Sequence, residues 1–181
     1  GTWQSPPRNT RFTRFRGDGW QIVLAEPRLS LRAAVVIQGR LIALGQQSRI
    51  SIGIGPAETL GSADLSDATG AAFELSGRGL DQMAEPWRIV INGSEVGEED
   101  RIIADLLGER MGRWTTAQAE AAAMHLAAPH RVVTLHEIGA SLAISPQAVN
   151  DRLRGAGGQT IASALRRWEA AKTNQGWNRV S

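Results

Sequence analysis

Residues 134–154 read TLHEIGASLAISPQAVNDRLR, and this stretch decides the fold of the C-terminal half of the chain. It holds two helix starts. Thr134 with Glu137 three residues on is a capping box. The Thr hydroxyl accepts from the backbone N–H at the third helical position, and the Glu carboxylate reaches back to the Thr N–H. Ser145 followed by Pro146 is the second start, a hydroxyl N-cap with proline at the first helical position, where a missing N–H costs nothing. Ile138, Leu142 and Ile144 are apolar between the two starts, and Val149 and Leu153 return at helical spacing after them. Two short helices across a tight turn predict a helix-turn-helix.

The outer side of the second helix carries Gln147, Asn150, Asp151 and Arg154. Gln and Asn amides match adenine edges, and Arg matches guanine or phosphate. The pattern therefore points to double-stranded DNA as partner, with this helix in the major groove. The expected DNA-facing set is Ser145, Gln147, Asn150, Arg152 and Arg154. Asp151 repels phosphate, so it should turn aside or pair with Arg152 or Arg154. Helix-turn-helix units also serve as protein-interaction domains, and that reading stays open.

The charge distribution runs the same way. Residues 1–100 hold ten Arg and twelve carboxylates, a balance of −2, whereas residues 101–181 hold nine Arg, one Lys and six carboxylates, a balance of +4. Phosphate contacts require such an excess on the DNA-reading half. The chain has 181 residues, 42% of them hydrophobic, enough for one larger or two small domains. No run approaches the roughly 18 apolar residues of a membrane span. No signal-peptide pattern opens the chain, and there is no Cys. A cytoplasmic protein without membrane contact is expected. His125, His130 and His136 lack the spacing of a metal site, so no metal is expected there.

Before residue 97 the pattern alternates between strands and helices. Residues 10–15 and 20–25 read as strands around the turn Gly17-Asp18-Gly19, a hairpin with Asp18 at its tip. A helix over 29–44, a strand over 49–54, a helix over 67–83 and a strand over 87–91 follow. That order predicts an α+β sandwich for residues 1–96. Residues 97–100 read as a charged break, and all later elements as helices: 102–111, an Ala-rich helix over 117–127 capped by Thr115 with Gln118, the helix-turn-helix, and an amphipathic helix over 161–171. Residues 155–158 read as a flexible break and 173–181 as a tail. The helical domain is set at 101–172. Leu165 and Trp168 on its last helix should face either the helical core or a second copy in a homodimer.

FTRFRGDGWQIVL, RISIGIG and GAAFELSGRGL, in that order, resemble the catalytic domain of class III nucleotidyl cyclases over residues 10–92. Asp18 falls on the family's metal-binding hairpin Asp, residues 49–55 on its Arg-Ile-Gly-Ile strand, and residues 70–80 on its signature helix. Phe73 takes the place of the family's Val, and Arg78 matches its phosphate-stabilising Arg. The resemblance implies a ferredoxin-related sandwich with Asp18 and Arg78 as candidate nucleotide or metal contacts, and Mg²⁺ or a nucleotide as the one cofactor to consider. Three departures argue against catalysis. Glu74 stands where the family has its catalytic Asn. The family's first strand, with its metal Asp, has no counterpart before Arg11, and Asp18 alone does not hold a metal pair. In the strand after Arg78 the nearest cation is Arg88, not a purine-reading Lys. Whether a natural N-terminal strand precedes Gly1 stays open.

Bacterial SatD-type proteins, a degenerate cyclase-like domain followed by a helix-turn-helix, are similar over nearly the full length. Residues 138–145 also resemble the common stretch Ile-Ala-x-x-Leu-Gly-Ile-Ser. Gly139 replaces its Ala, and Ala143 replaces the turn Gly at a greater left-handed cost. Only residues 155–160 separate the second helix from the next, too few for a β-wing. A multi-helical reader of the sigma-factor or LuxR type is expected rather than a MarR-type winged helix. The resulting expectation is a DNA-binding regulator whose cyclase-like domain is a sensory or dimerisation platform. The rivals are a nucleotidyl cyclase-like phosphoryl-transfer enzyme and a protein-interaction adaptor.

Overall fold

The computed structural model describes residues 11–14, 19–60, 65, 67–86 and 88–177. The elements are β1 (Arg11–Arg14), β2 (Trp20–Val23), a 3₁₀ turn (Pro27–Leu29), α1 (Ser30–Ala43), β3 (Ile50–Ile54), α2 (Ala71–Gln82), β4 (Ile89–Gly93), α3 (Glu98–Gly112), α4 (Thr116–Leu126), α5 (Leu135–Leu142), α6 (Pro146–Ala156) and α7 (Gly158–Asn174). The class is α+β and mainly helical, with two two-stranded sheets among the described residues. No helix among them is long and apolar enough to cross a membrane.

β1 and β2 pair antiparallel, Arg11 opposite Val23 and Arg14 opposite Trp20. The hairpin tip, Asp18 included, lies outside the described residues. β3 and β4 pair parallel, from Ile50 opposite Ile89 to Ile54 opposite Gly93. Parallel strands need a crossover, and α2 supplies it. One face of this sheet takes α2 so closely that a Cβ on Gly53 would collide with the Ala72 carbonyl oxygen. The other face carries Ile50, Ile89 and Ile91, all buried, against α1 and α3.

Four boundaries differ from the sequence reading. α2 starts at Ala71 rather than 67, because Thr69 bridges to Thr59 and Gly70 turns at φ 128°. α3 starts at Glu98, so the charged break at 97–100 is in fact a helix start. Its three carboxylates sit in the first turn, where the helix dipole favours them, and Asp100 Oδ2 accepts the Gly97 N–H at 2.9 Å. The flexible break at 155–158 shrinks to one left-handed residue, Gly157 at φ 72°, which ends α6 and opens α7. The tail from 173 is part of the fold as far as Trp177, which is buried. Residues 178–181 lie outside the described residues.

A single hydrophobic cluster runs from Val35 of α1 and Ile91 of β4 through Leu107 of α3 and Leu126 of α4 to Leu153 of α6 and Leu165 of α7. The halves set at 1–96 and 101–172 therefore share apolar packing. The alanines of the 117–127 stretch explain how: Ala119, Ala121, Ala122 and Ala123 are all buried. Such a surface lets α1 approach closely, with Gly39 against Ala123 and Trp114.

Two buried ion pairs fasten α7 across this packing. Arg32 Nε and Nη2 donate to Glu169 at 2.6 and 2.9 Å, and its Nη1 donates to the Leu126 carbonyl at 3.2 Å. Lys172 Nζ lies 2.6 Å from Asp100 Oδ2, and Trp168 Nε1 donates to Asp100 Oδ1 at 2.7 Å. Leu165 and Trp168, at 0% and 5% exposure, are consumed inside the chain. Of the two alternatives read for them, the core is the one realised.

Candidate nucleic-acid interface

The three helices α4, α5 and α6 pack together, with α5 and α6 joined by a three-residue turn. Each start signal is realised. Thr134 Oγ1 accepts from the Glu137 N–H at 3.2 Å, while Glu137 Oε2 accepts the Thr134 N–H at 2.7 Å and its hydroxyl at 2.9 Å. These bonds, with Arg131 Nη1 at 2.8 Å, hold the Glu137 carboxyl below the usual carboxylate range. Ser145 Oγ accepts from the Ala148 N–H at 3.1 Å. The turn residue Ala143 sits at φ 53° and ψ 41°, the left-handed conformation that the missing turn glycine implied. Gly139 is where the helices cross: a Cβ there would lie 2.7 Å from the Ile144 carbonyl oxygen.

α6 buries Val149, Leu153 and Ala156 and turns its other side outward. Gln147 and Arg154 are exposed, and Asn150 is half-buried. Arg154 Nη1 lies 3.8 Å from Asp151 Oδ1, so the carboxylate pairs as its repulsive charge required. Both groups are well exposed, and an exposed helix pair contributes only about 0.2–0.5 kcal/mol. A phosphate can displace Asp151 at little cost. Arg152 stands apart from the expected set: its guanidinium reaches back to Glu120 of α4 at 3.3 Å. Ser145 is exposed, and its Oγ accepts the cap bond while its O–H stays able to donate. The outward polar groups are thus Ser145, Gln147, Asn150, Asp151 and Arg154.

The far end of α6 is held by residues that the sequence did not single out. Arg110 donates to the Ala156 and Gly155 carbonyls at 3.1 and 2.9 Å, and Trp114 Nε1 donates to the Ala156 carbonyl at 2.9 Å. The last carbonyls of a helix lack internal partners, and Arg110 of α3 with Trp114 just after it satisfies two of them here. The sequence signal was only a cation and an indole donor spaced one helical turn apart. α7 begins two residues after α6, which leaves no place for a β-wing between them. On α7, Arg166 and Arg167 are exposed.

In the N-terminal half, the two expected nucleotide contacts are not brought together in the described residues. Asp18 lies outside them. Arg78 is 65% exposed on α2 and lies 3.8 Å from Glu74, so the residue matching a phosphate binder is paired with the one replacing the family's Asn. No group of three or more His, Cys, Asp or Glu suited to a metal ion occurs among the described residues. Compared with family models, with curated proteins and with solved structures, the chain matches none.

Proposed function

We propose that this chain is a DNA-binding regulator that reads the major groove with α6. The observation that carries the reading is the unit α5, left-handed Ala143 and α6, clamped at both ends, with Gln147, Asn150 and Arg154 directed outward. Asn and Gln supply paired donor and acceptor groups for adenine, and Arg supplies a forked donor for guanine or phosphate. Rigid support of the reading helix favours this use, because side chains must meet base edges within narrow limits. On the same reading, residues 1–96 form a cyclase-like body without catalytic groups, serving as a sensory or dimerisation platform in a cytoplasmic protein. The Arg78–Glu74 pair supports the non-catalytic part of this reading.

Fluorescence anisotropy with short genomic fragments, over a series of salt concentrations, tests the proposal. Wild type should bind at low salt, lose affinity as salt rises, and bind more tightly than Arg154→Ala. A wild type with no affinity above background at low salt contradicts it.

A further inference from the structure

A recess of about 320 Å³ opens between α7 and the segment that joins α4 to α5. Its ionisable lining is entirely basic: Arg32 of α1, His125 of α4, His130 and Arg131 of the connection, and Arg166 of α7. No carboxylate lines it, and its other side chains are apolar. Two of the three guanidinium groups already have partners. Arg32 commits its donors to Glu169 and the Leu126 carbonyl, and Arg131 pairs with Glu137 at 2.8 Å, where both are about half exposed. Arg166 is exposed and has no ion-pair partner among the described residues. His125 is half-buried, and its Nδ1 is buried with no hydrogen-bond partner among the described residues. The ring is therefore not locked into one protonation state by bonds to both nitrogens. Burial first, and then the charges of Arg166 and Arg32, hold this imidazole below its ordinary value. The same positive potential draws an anion.

The chain's own carboxylates are placed elsewhere. Those among the described residues lie outside the lining. Residues 1–10 and 178–181 hold no Asp or Glu, and the only carboxylate side chains outside the described residues are Asp18 and Asp64. Their described neighbours belong to other surroundings. Gly19 lines the cleft between the two small sheets, which α1 walls with Ala33, Ala34 and Ile37. Arg32 leaves α1 on the opposite side. The Leu65 N–H donates to Thr13 Oγ1 of β1 at 2.9 Å. The missing negative charge is therefore that of a ligand.

We infer that this recess binds a phosphate group, with Arg166 and Arg131 as its cationic donors and the His125 and His130 imidazoles completing the site. Donors arrive from α4, α7 and the connection between α4 and α5. Such convergence suits the several oxygens of a tetrahedral anion better than the flat pair of a carboxylate, and guanidinium donors form strong charge-assisted bonds to phosphate. Arg32, neutralised by Glu169, acts as a wall and not as a ligand. The phosphate belongs either to a small phosphorylated molecule or to a DNA backbone, and the test separates the two. The inference does not rest on base reading by α6.

The test titrates the isotope-labelled full chain with inorganic phosphate, sodium chloride holding the ionic strength constant, and follows side-chain NMR signals. The His125 and Arg166 signals should move along one saturating curve. His136, exposed on α5 and outside the lining, should stay still. The His125 titration midpoint should rise in phosphate relative to chloride, because the anion cancels the charges that depress it. Arg166→Gln, at an exposed position, should weaken the phosphate curve by roughly tenfold or more and by itself raise the His125 midpoint. A DNA duplex that moves the same signals, and is displaced by phosphate, assigns the group to a DNA backbone. A duplex that leaves them unmoved while phosphate binds assigns it to a small phosphorylated molecule. Three results overturn the inference. A His125 signal unmoved by phosphate, or moved equally by chloride, means the recess takes no phosphate. His136 moving along the same curve means a general surface effect. An unchanged curve in Arg166→Gln means this cation does not hold the group.

Discussion

Lys172 and Asp100 are 3% and 0% exposed, and theirs is the most deeply buried ion pair among the described residues. The ammonium also lies 4.8 Å from the Trp177 ring centroid, and the carboxylate also takes bonds from Trp168 and from Gly97. Removing one partner leaves the other charge buried. Lys172→Met should therefore destabilise the chain by about 3–5 kcal/mol, measured by urea unfolding; an unchanged midpoint would show that the pair is not buried in solution. His125 is a second such residue. Its burial pushes the imidazole below its ordinary value, and nearby Arg166 and Arg32 act in the same direction against a hydrogen bond to the Val133 backbone. The unfolded chain thus takes up the proton first as pH falls. The neutral side chain's contribution is complete above the ordinary histidine value of about 6.5 and is lost as pH drops from there through the folded value. Unfolding midpoints from pH 7.5 to 5 should fall more steeply for wild type than for His125→Phe. Parallel slopes would assign the pH dependence elsewhere.

Among the elements, those with local chemical signals were legible. Thr115, Thr134 and Ser145 each mark a helix start by a hydroxyl three residues ahead of a free N–H, and each bond is made. Ala143 shows the price of a missing signal: a non-glycine residue held left-handed at the heart of the motif. Ala143→Gly should raise stability by about 1 kcal/mol, because glycine adopts that conformation freely, and the melting temperature by about 2–4 °C. A lower melting temperature would argue against a left-handed turn. Where signals depend on distant partners, the sequence was silent. Glu98 to Asp100 resembled a solvated break because Lys172, which neutralises Asp100, lies 72 residues away. Residues 155–158 resembled a loop because the residues that tie down Gly155 and Ala156, Arg110 of α3 and Trp114 just after it, are distant in sequence. Arg152 was placed on the reading face because its partner Glu120 belongs to another helix.

At the scale of the whole molecule, α1 is the shared element. One of its stripes, Ala33, Ala34 and Ile37, walls the cleft between the sheets. Its other side meets α4 at Gly39 and α7 through Arg32 and Glu169. Through α4, α6 is thereby mounted on a body and not on a linker. The most direct test of α6 as the reading surface is an NMR titration of the isotope-labelled chain with a DNA duplex at low salt. The account predicts shifts concentrated at α6 and the turn before it, Gln147, Asn150 and Arg154 foremost, and their loss as salt rises. Shifts that spare α6, or no shifts at any duplex concentration, would contradict it.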